Sequence, residues 1–385
     1  MSFATLALIC MAGVLGPLLA LPRGGYVPVV IGELVAGLVL GPTGANRLHA
    51  HDKTFTLLAQ IGFALIMFVV GSHVPVRDPR MGAALRVGAL RAVGVGVLAA
   101  ALGLAIATVF HTGHAGLYAV LMASSSAALI LPIVHSLHLG GVSVLQLLPQ
   151  VAIADSACIV ALPLVIDPGH AGRAVVGSLA VLAAAGVLYV VLAHIERSGL
   201  RRRAHRLSDA RKFALELRIN LILLFGLAAL ATSTHVSVML AGFSFGLVVA
   251  AIGQPRRLAR QLFALTDGFL GPLFFVWLGA SLDLHDLGRR PSLVLLGLAL
   301  GGGAVLAHLA MRGTGQPASI AVLAAAQLGV PVAAVTIGSQ LHVLKAGEPA
   351  ALLLGALVTM ATATVAVSMR GKGRTRTLDP RKAGR

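Results

Sequence analysis

Runs of apolar residues, separated by short stretches that carry Gly, Pro, His and charge, follow one another along the whole chain. Each run has about 20 residues, the length with which a helix crosses roughly 30 Å of hydrocarbon. The pattern predicts an all-α polytopic membrane protein. We predict thirteen transmembrane helices, over 2–21, 26–44, 54–75, 86–110, 115–137, 141–163, 172–194, 213–233, 236–252, 263–283, 292–311, 317–343 and 349–369.

Composition supports the membrane interpretation. The chain is 57% hydrophobic and 11% charged, with a mean hydropathy of +0.93, whereas a soluble domain carries roughly 25% charge. The net charge of +17 comes from residues between and after the apolar runs, where they act as topology signals and not as a nucleic-acid interface. Cys10 and Cys158 both lie in apolar runs, so no disulfide framework is expected.

The basic residues also predict an orientation. Of the 30 Lys and Arg, all but six fall at or near alternate connections that include "ERSGLRRRAHRLSDARK" and "GQPRRLAR". Positive charge concentrates on the cytoplasmic side. We therefore expect a multi-pass protein of the cell inner membrane with its N-terminus outside and its C-terminus in the cytoplasm, and a basic tail near anionic lipid.

Two halves of the sequence resemble each other. Span three contains "GFALIMFVVGSHV" and span ten "GFLGPLFFVWLGASL", while "IGELVAGLVLG" in span two is similar to "LAGFSFGLVVAAIG" in span nine. Partners seven spans apart cross the membrane in opposite directions, which is the pattern of an inverted repeat. The predicted parts are a first half over 1–194, with ion-site helices about 115–163 and a linking span 172–194; a basic linker 195–212; a second repeat 213–369; and a tail 370–385.

Spans five and twelve, partners under this repeat, carry features that interrupt helices. Pro has no amide donor and disfavours helical geometry in the residue before it. A broken helix in a membrane exposes backbone groups that could bind a small ion; small residues that serve only helix packing are the alternative. The central residues are Ser124, Ser125 and Ser126 in span five and Gln327, Gly329 and Pro331 in span twelve.

Asp155 is a carboxylate halfway along span six, in "QVAIADSACIVALP". A charge at the bilayer centre costs roughly 2.5–3.5 kcal/mol, and span six offers no Lys or Arg to pair with it. We therefore predict that Asp155 binds a monovalent cation and a proton in competition, because burial disfavours the ionised form and a bound cation favours it.

At these residues the sequence resembles the monovalent cation:proton antiporter-2 family of bacterial sodium/proton and potassium/proton exchangers, over nearly the whole chain. The matching segments are "PVVIGELVAGLVLGP" at 28–42, "VAIADSACIVALPLV" at 151–165 and "GPLFFVWLGASLDL" at 271–284. The resemblance implies two inverted repeats arranged as a dimerisation domain and a core domain, with crossed broken helices beside the essential Asp. It also implies a homodimer whose core moves as an elevator and exposes Asp155 to each side in turn.

The sequence departs from the family at three places. Ala154 stands where the family usually has Asp, Asn or Gln; span eleven, where many members have a Lys or Arg, has His308 as its only ionisable group; and "QLGVPVA" lacks the acidic Gly-Glu motif that span twelve often carries. With one titrating carboxylate, exchange of one proton for one cation is expected, with His308 as a possible second proton carrier.

Oxygen ligands for the cation are expected near Asp155, since hard cations prefer oxygen. No cofactor is expected beyond the substrate, Na⁺ or K⁺. The family's potassium-efflux members carry a nucleotide-binding domain after the last span, and here sixteen residues follow it, so nucleotide regulation is not expected. The candidate ligands are Ser125, Ser126 and Ser156, with Ser124, Gln150, Gln327 and His308 as supporting residues.

Two other functions stay open. A sodium-coupled symporter of an organic solute or anion could use the same architecture, although it should bring more polar and basic residues to spans five and twelve. An intramembrane enzyme would need a Ser–Lys or Ser–His arrangement, a second aspartate in a neighbouring span, or "HExxH", and the sequence shows none of these.

Overall fold

All regular secondary structure in the described part of the chain is helical, which confirms the all-α prediction. Nine helices within it are long and apolar enough to span a membrane, and three further apolar helices are shorter. The computed structural model describes residues 1–20, 29–72, 81–136, 139–198, 215–234, 236–253, 256–282 and 284–376.

The helices follow the predicted spans closely. The first eight are α1 (Phe3–Ala20), α2 (Val29–Leu40), α3 (Lys53–Ser72), α4 (Met81–Val109), α5 (Ala115–Ala123), α6 (Ala127–Ser136), α7 (Val142–Ile166) and α8 (Ala171–Arg197). The next nine are α9 (Leu215–Ser233), α10 (Val238–Ile252), α11 (Arg256–Leu265), α12 (Gly271–Ala280), α13 (His285–Arg289), α14 (Pro291–Leu309), α15 (Ala318–Ala324), α16 (Gly329–Gln340) and α17 (Glu348–Arg376). A π-helical turn, Thr266–Leu270, joins α11 to α12, and 3-10 turns follow α7 (Pro168–His170) and α14 (Ala310–Thr314).

The largest differences between the helix ends and the prediction are at α11 and α17. Helix α11 begins at Arg256, before the predicted start of span ten at 263, and α17 continues to Arg376 through the first part of the predicted tail 370–385. Hydropathy marks where the apolar run stops, whereas backbone hydrogen bonding can continue: α11 begins in "RRLARQL", whose residues have good helix propensity. The extension of α17 includes Gly371 and Gly373, which have poor helix propensity, and nothing in the structure explains it. Residues 199–214 of the predicted linker region and 377–385 of the tail lie outside the described residues.

The chain forms two compact units, and each takes segments from both halves of the sequence. The first, here called the scaffold unit, comprises Met1–Leu15, Glu33–Met81 and Ile159–Leu282. The second, here called the core unit, comprises Gly16–Gly32, Gly82–Cys158 and Asp283–Arg385. The predicted parts are consecutive stretches of sequence, whereas these units are not. The two divisions describe different things, and the inverted repeat stays a prediction.

In the scaffold unit, glycines bring helix backbones into direct contact. Helix α3 packs along α10, and a Cβ at three glycines would overlap a carbonyl oxygen of the facing helix. The same holds between α2 and α12, at two glycines. The facing pairs are Gly71 with Phe243, Gly242 with Ala64, Gly246 with Phe68, Gly37 with Val276, and Gly279 with Leu34.

In the core unit, α14 packs against α17 and α5, and α15 packs against α17. The interrupted helices α5–α6 and α15–α16 correspond to predicted spans five and twelve. Their interruptions contact each other through backbone hydrogen bonds, as the next section describes.

Candidate functional site

Asp155 lies near the middle of α7 and is 2% exposed. Apolar residues surround it in sequence, and among the described residues no Lys or Arg forms an ion pair with it. Its Oδ2 accepts a hydrogen bond from the backbone N–H of Ala127, at 3.2 Å. The carboxylate is therefore held by a backbone dipole and not by a fixed cation.

The first interruption supplies that N–H group. Helix α5 ends at Ala123, Ser124 is extended with ψ 151°, and α6 begins at Ala127. The first N–H groups of a helix have no partner within it, and together they favour a negative charge. The break thus aims the positive end of α6 at Asp155.

The second interruption lies against the first. Helix α15 ends at Ala324 and α16 begins at Gly329. The N–H of Ser126 donates to the carbonyl oxygen of Ala326 at 2.7 Å, and the Ser125 hydroxyl donates to the carbonyl oxygen of Ala324 at 2.7 Å. The break in α5–α6 is therefore hydrogen-bonded to carbonyl groups at the break in α15–α16. Both breaks belong to the core unit, as does Asp155.

His308 is bound to the same junction. It is 1% exposed on α14, and its Nδ1 lies 2.9 Å from the carbonyl oxygen of Ala304, which can only accept. Its Nε2 lies 3.3 Å from Ser125 Oγ. The Ser125 hydroxyl has one proton, and the carbonyl of Ala324 is nearer than His308. A neutral His308 therefore accepts at most a weak hydrogen bond from Ser125 through Nε2. A protonated His308 would instead donate a hydrogen bond from Nε2 to the Ser125 oxygen.

The other predicted candidates divide into two groups. The hydroxyls of Ser156 and Ser124 donate to carbonyls of their own helices, Ala152 at 2.7 Å and Leu121 at 2.8 Å. The Gln150 side chain accepts a hydrogen bond from Gln316. The backbone N–H of Gln327 donates to Thr359 Oγ1 on α17 at 3.2 Å, and its side-chain Nε2 is buried without a hydrogen-bond partner among the described residues.

Sequence reasoning missed a carboxylate network at the start of α17. Glu348, 2% exposed, accepts hydrogen bonds from Tyr118 Oη at 2.7 Å and from the Lys345 N–H at 3.0 Å, and its Oε1 is 2.7 Å from His114 Nδ1. An acidic residue in the first turn of a helix is the signal that could have found it. The network joins the beginnings of α5 and α17.

Arg91 is a second buried group that the sequence pattern did not single out. It lies well inside α4 and is 2% exposed. It also lies inside the predicted span 86–110, and an arginine at that position was the signal that could have singled it out.

The sequence is similar to known membrane proteins over most of its length. Residues 6–375 match the family of transmembrane sodium/hydrogen exchangers. YjbQ of Bacillus subtilis, whose name assigns it to the Na⁺/H⁺ antiporters, is 25% identical over 382 residues, which cover 93% of this chain and 61% of that protein. The glutathione-regulated potassium-efflux protein KefC of Salmonella typhimurium is 28% identical over 316 residues, covering 75% of this chain and 47% of its own length. The chain thus spans about half to three fifths of the length of these relatives.

The fold is similar to a solved antiporter structure. The sodium proton antiporter MjNhaP1 of Methanocaldococcus jannaschii superposes with a TM-score of 0.64 over 97% of both chains, at 16% sequence identity. That likeness concerns the fold alone, and it includes nearly all of the chain.

Proposed function

Because the chain belongs to the transmembrane sodium/hydrogen exchanger family, we propose that it exchanges a monovalent cation for H⁺ across the membrane as a secondary active antiporter. The cation is Na⁺ or K⁺, the ions in the names of its relatives. The protein acts as a transporter and not as an enzyme, and it needs no cofactor besides its substrate ions. The fold does bring Ser125 and His308 together, a Ser–His pair that the sequence did not show, but the Ser125 hydroxyl donates to the nearer Ala324 carbonyl and not to the imidazole, so His308 does not activate it as a nucleophile.

One observation carries this proposal: the Asp155 carboxylate is buried at the break of α5–α6 and has a backbone N–H as its partner. A carboxylate in this setting needs either a proton or a cation to be neutral. Because the two compete for the same oxygen atoms, each excludes the other. Competition at one site couples the uptake of one ion to the release of the other.

Oxygen atoms near the break complete the cation site. Carbonyl oxygens freed by the two interruptions and the Ser125 and Ser126 side chains are the best-placed donors, since both serines lie in the first break. Ser156 stays a weaker candidate because it lies inside α7 and not in a break, and its hydroxyl bonds to the Ala152 carbonyl of its own helix. Hard monovalent cations prefer such neutral oxygens together with one carboxylate.

Coupling requires that the empty, ionised site does not cross the membrane. Moving an unpaired Asp155 carboxylate through apolar surroundings costs several kcal/mol, whereas the protonated and cation-bound forms are neutral. Alternating access by an elevator movement of the core, a homodimeric assembly, and an orientation with the N-terminus outside are parts of the same proposal, drawn from family resemblance and charge distribution.

Exchange by liposomes that contain a trapped pH dye tests the proposal. We expect Na⁺ or K⁺ to produce proton flux with the purified protein, and Asp155→Asn to reduce it to the background of empty liposomes, because the amide keeps the shape but cannot release a proton. Asp167→Asn, which removes a carboxylate just beyond the end of α7, is the matched control and should retain flux. A monodisperse elution profile shows that each variant is folded.

Two outcomes would contradict the proposal. Flux in Asp155→Asn comparable to the wild type would place the coupling site elsewhere. A wild-type protein that responds to none of the alkali cations would contradict antiport and leave the solute symporter.

A further inference from the structure

Arg91 is held in the core unit by neutral groups only. Its Nε donates to Thr314 Oγ1 at 2.8 Å, and its Nη2 donates to the Thr314 carbonyl oxygen at 3.2 Å. Thr314 closes the 3-10 turn after α14, and its own hydroxyl donates to the Met311 carbonyl at 2.7 Å. These contacts fix the position of the guanidinium without neutralising its charge.

The remaining edge of the guanidinium has no partner among the described residues. Nη1 of Arg91 is buried and makes no hydrogen bond, and in the described part of the chain no carboxylate forms an ion pair with it. Buried charges in proteins are paired with an opposite charge or with a bound ion, because an isolated one loses its hydration. A side chain that is 2% exposed cannot regain that hydration from bulk water.

A glutamine pair next to Arg91 is also incompletely bonded. Gln316 Nε2 donates to Gln150 Oε1 at 2.9 Å, while Gln150 Nε2 and Gln316 Oε1 are buried and find no partner in the part of the chain that the structure describes. Turning both amide groups over exchanges the roles and again leaves one free NH₂ and one free oxygen. In either arrangement an amide donor remains to be satisfied.

Backbone contacts place this pair beside Arg91. Gln316 follows Thr314 by two residues. On the other side, a Cβ at Gly88 of α4 would lie 2.7 Å from the Gln150 backbone nitrogen, and Gly88 and Arg91 are i, i+3 neighbours on one helix face. Further along α4, Val95 packs with Ala307 and Met311. The buried polar groups therefore lie where α4, α7 and the turn after α14 meet, next to apolar residues of α4 and α14.

We propose that Arg91 Nη1 and the free amide NH₂ of the Gln150–Gln316 pair bind one small inorganic anion, of the size and charge of chloride. A water molecule would satisfy the hydrogen bonds but would leave the guanidinium charge uncompensated. A lipid phosphate is too large for a site whose side chains are 1–2% exposed.

The proposed anion site is separate from the cation site. Gln150 and Asp155 are five residues apart on α7, which places them roughly 140° apart around a helix with 3.6 residues per turn. Anion binding would therefore fix α4 and α7 to the turn after α14 without contacting the transported ion.

Thermal unfolding of the purified full chain in detergent tests this site without measuring transport. The probe salts are the N-methylglucamine salts of chloride, bromide and gluconate at constant ionic strength, with fluorescence of Trp277 as the signal. We expect chloride and bromide to raise the Tm saturably, by about 3 °C at concentrations well above Kd. Gluconate, which is too large, should not raise it.

Variants assign the effect to the site. Arg91→Met should abolish the halide-dependent shift, and Gln150→Leu should raise the half-saturating concentration about tenfold. Arg86→Met removes the same charge from an exposed position on the same helix and should keep the full shift. An equal response to gluconate, or a full halide shift in Arg91→Met, would overturn the proposal.

A direct measurement covers the case in which Arg91→Met does not fold. In wild-type crystals grown with bromide, an anomalous peak is expected within hydrogen-bond distance of Arg91 Nη1. If saturating bromide gives no peak there, the anion proposal is wrong and the partner of Arg91 is water.

Discussion

The hydroxyls of Ser125 and Ser156 differ in the group that accepts their proton. Ser156 donates to Ala152, one turn earlier in its own helix, as membrane serines often do. Ser125 donates across the junction to Ala324, on the other broken helix, and also lies 3.3 Å from His308. Only the Ser125 oxygen links both interruptions, so it is the better ligand candidate.

We therefore expect Ser125→Ala to raise the KM for the transported cation about tenfold, the value of one hydrogen bond or ligand oxygen of roughly 1.4 kcal/mol. Ser156→Ala should change it by less than about twofold. Cation titrations of proton flux measure both. A larger effect in Ser156→Ala than in Ser125→Ala would exchange their roles.

A single residue could be predicted where the sequence alone showed an unfavourable free energy. Asp155 could be singled out because inserting a carboxylate into an apolar span is unfavourable whatever residues surround it in the fold. The roles of Gln150 and Arg91 depend on Gln316 and Thr314, which are distant in sequence and reach them only through the fold. No local sequence pattern predicts such partners.

At the scale of helices, close glycine contacts hold the scaffold unit together. Helices α3 and α10 approach until glycines meet carbonyl oxygens, as do α2 and α12. The predicted repeat pairs span two with span nine and span three with span ten. Helices α2 and α3 belong to spans two and three, and α10 and α12 to spans nine and ten. The repeat therefore requires that a contact between α2 and α12 be matched by one between α10 and α3. The structure has both contacts, which supports the repeat; the repeat itself stays a prediction.

Substitution at this contact should be costly. In Gly246→Val the new side chain would overlap the Phe68 carbonyl oxygen, and backbone cannot move aside as a flexible side chain can. We expect a loss of about 1–3 kcal/mol or more of stability, seen as a lower Tm. Gly226→Val on α9, where a Cβ meets no atom within 4 Å, should leave the Tm nearly unchanged; an equal fall in both variants would show that helix propensity and not contact is responsible.

Helices were the most predictable level because hydrophobic run length is a local property. The breaks were predicted from Ser124–Ser126 and from Gln327, Gly329 and Pro331, and the structure interrupts both spans there. Pro331, however, is the third residue of α16, where a missing N–H is tolerated in the first turn. It starts the second half-helix and does not itself form the gap.

For the whole molecule, the number of titrating groups at the site determines how much charge moves. Asp155 is the carboxylate at the junction, Ala154 adds none, and His308 is held by the Ala304 carbonyl and Ser125. If His308 keeps one protonation state throughout the cycle, one proton exchanges for one cation and the net charge moved is zero.

Exchange should then be electroneutral. Reconstituted protein on a solid-supported membrane should show proton flux without sustained current, and an imposed membrane potential, worth about 2.3 kcal/mol per charge per 100 mV, should not alter Na⁺-driven flux. The same recording on His308→Ala is the control. A wild-type current that disappears in His308→Ala would contradict this prediction and identify His308 as a second proton carrier.

The hydrogen bond from Ser125 to Ala324 also has a consequence for biosynthesis. The two residues are 199 positions apart, and a ribosome adding about 5–20 residues per second needs on the order of 10–40 s to make the intervening chain. During that time the first broken helix has entered the bilayer with backbone groups that nothing yet satisfies, and lipid offers them no hydrogen bonds. We therefore expect the first broken helix to stay beside the translocon, in a water-containing pocket or under a membrane chaperone, until the second broken helix emerges.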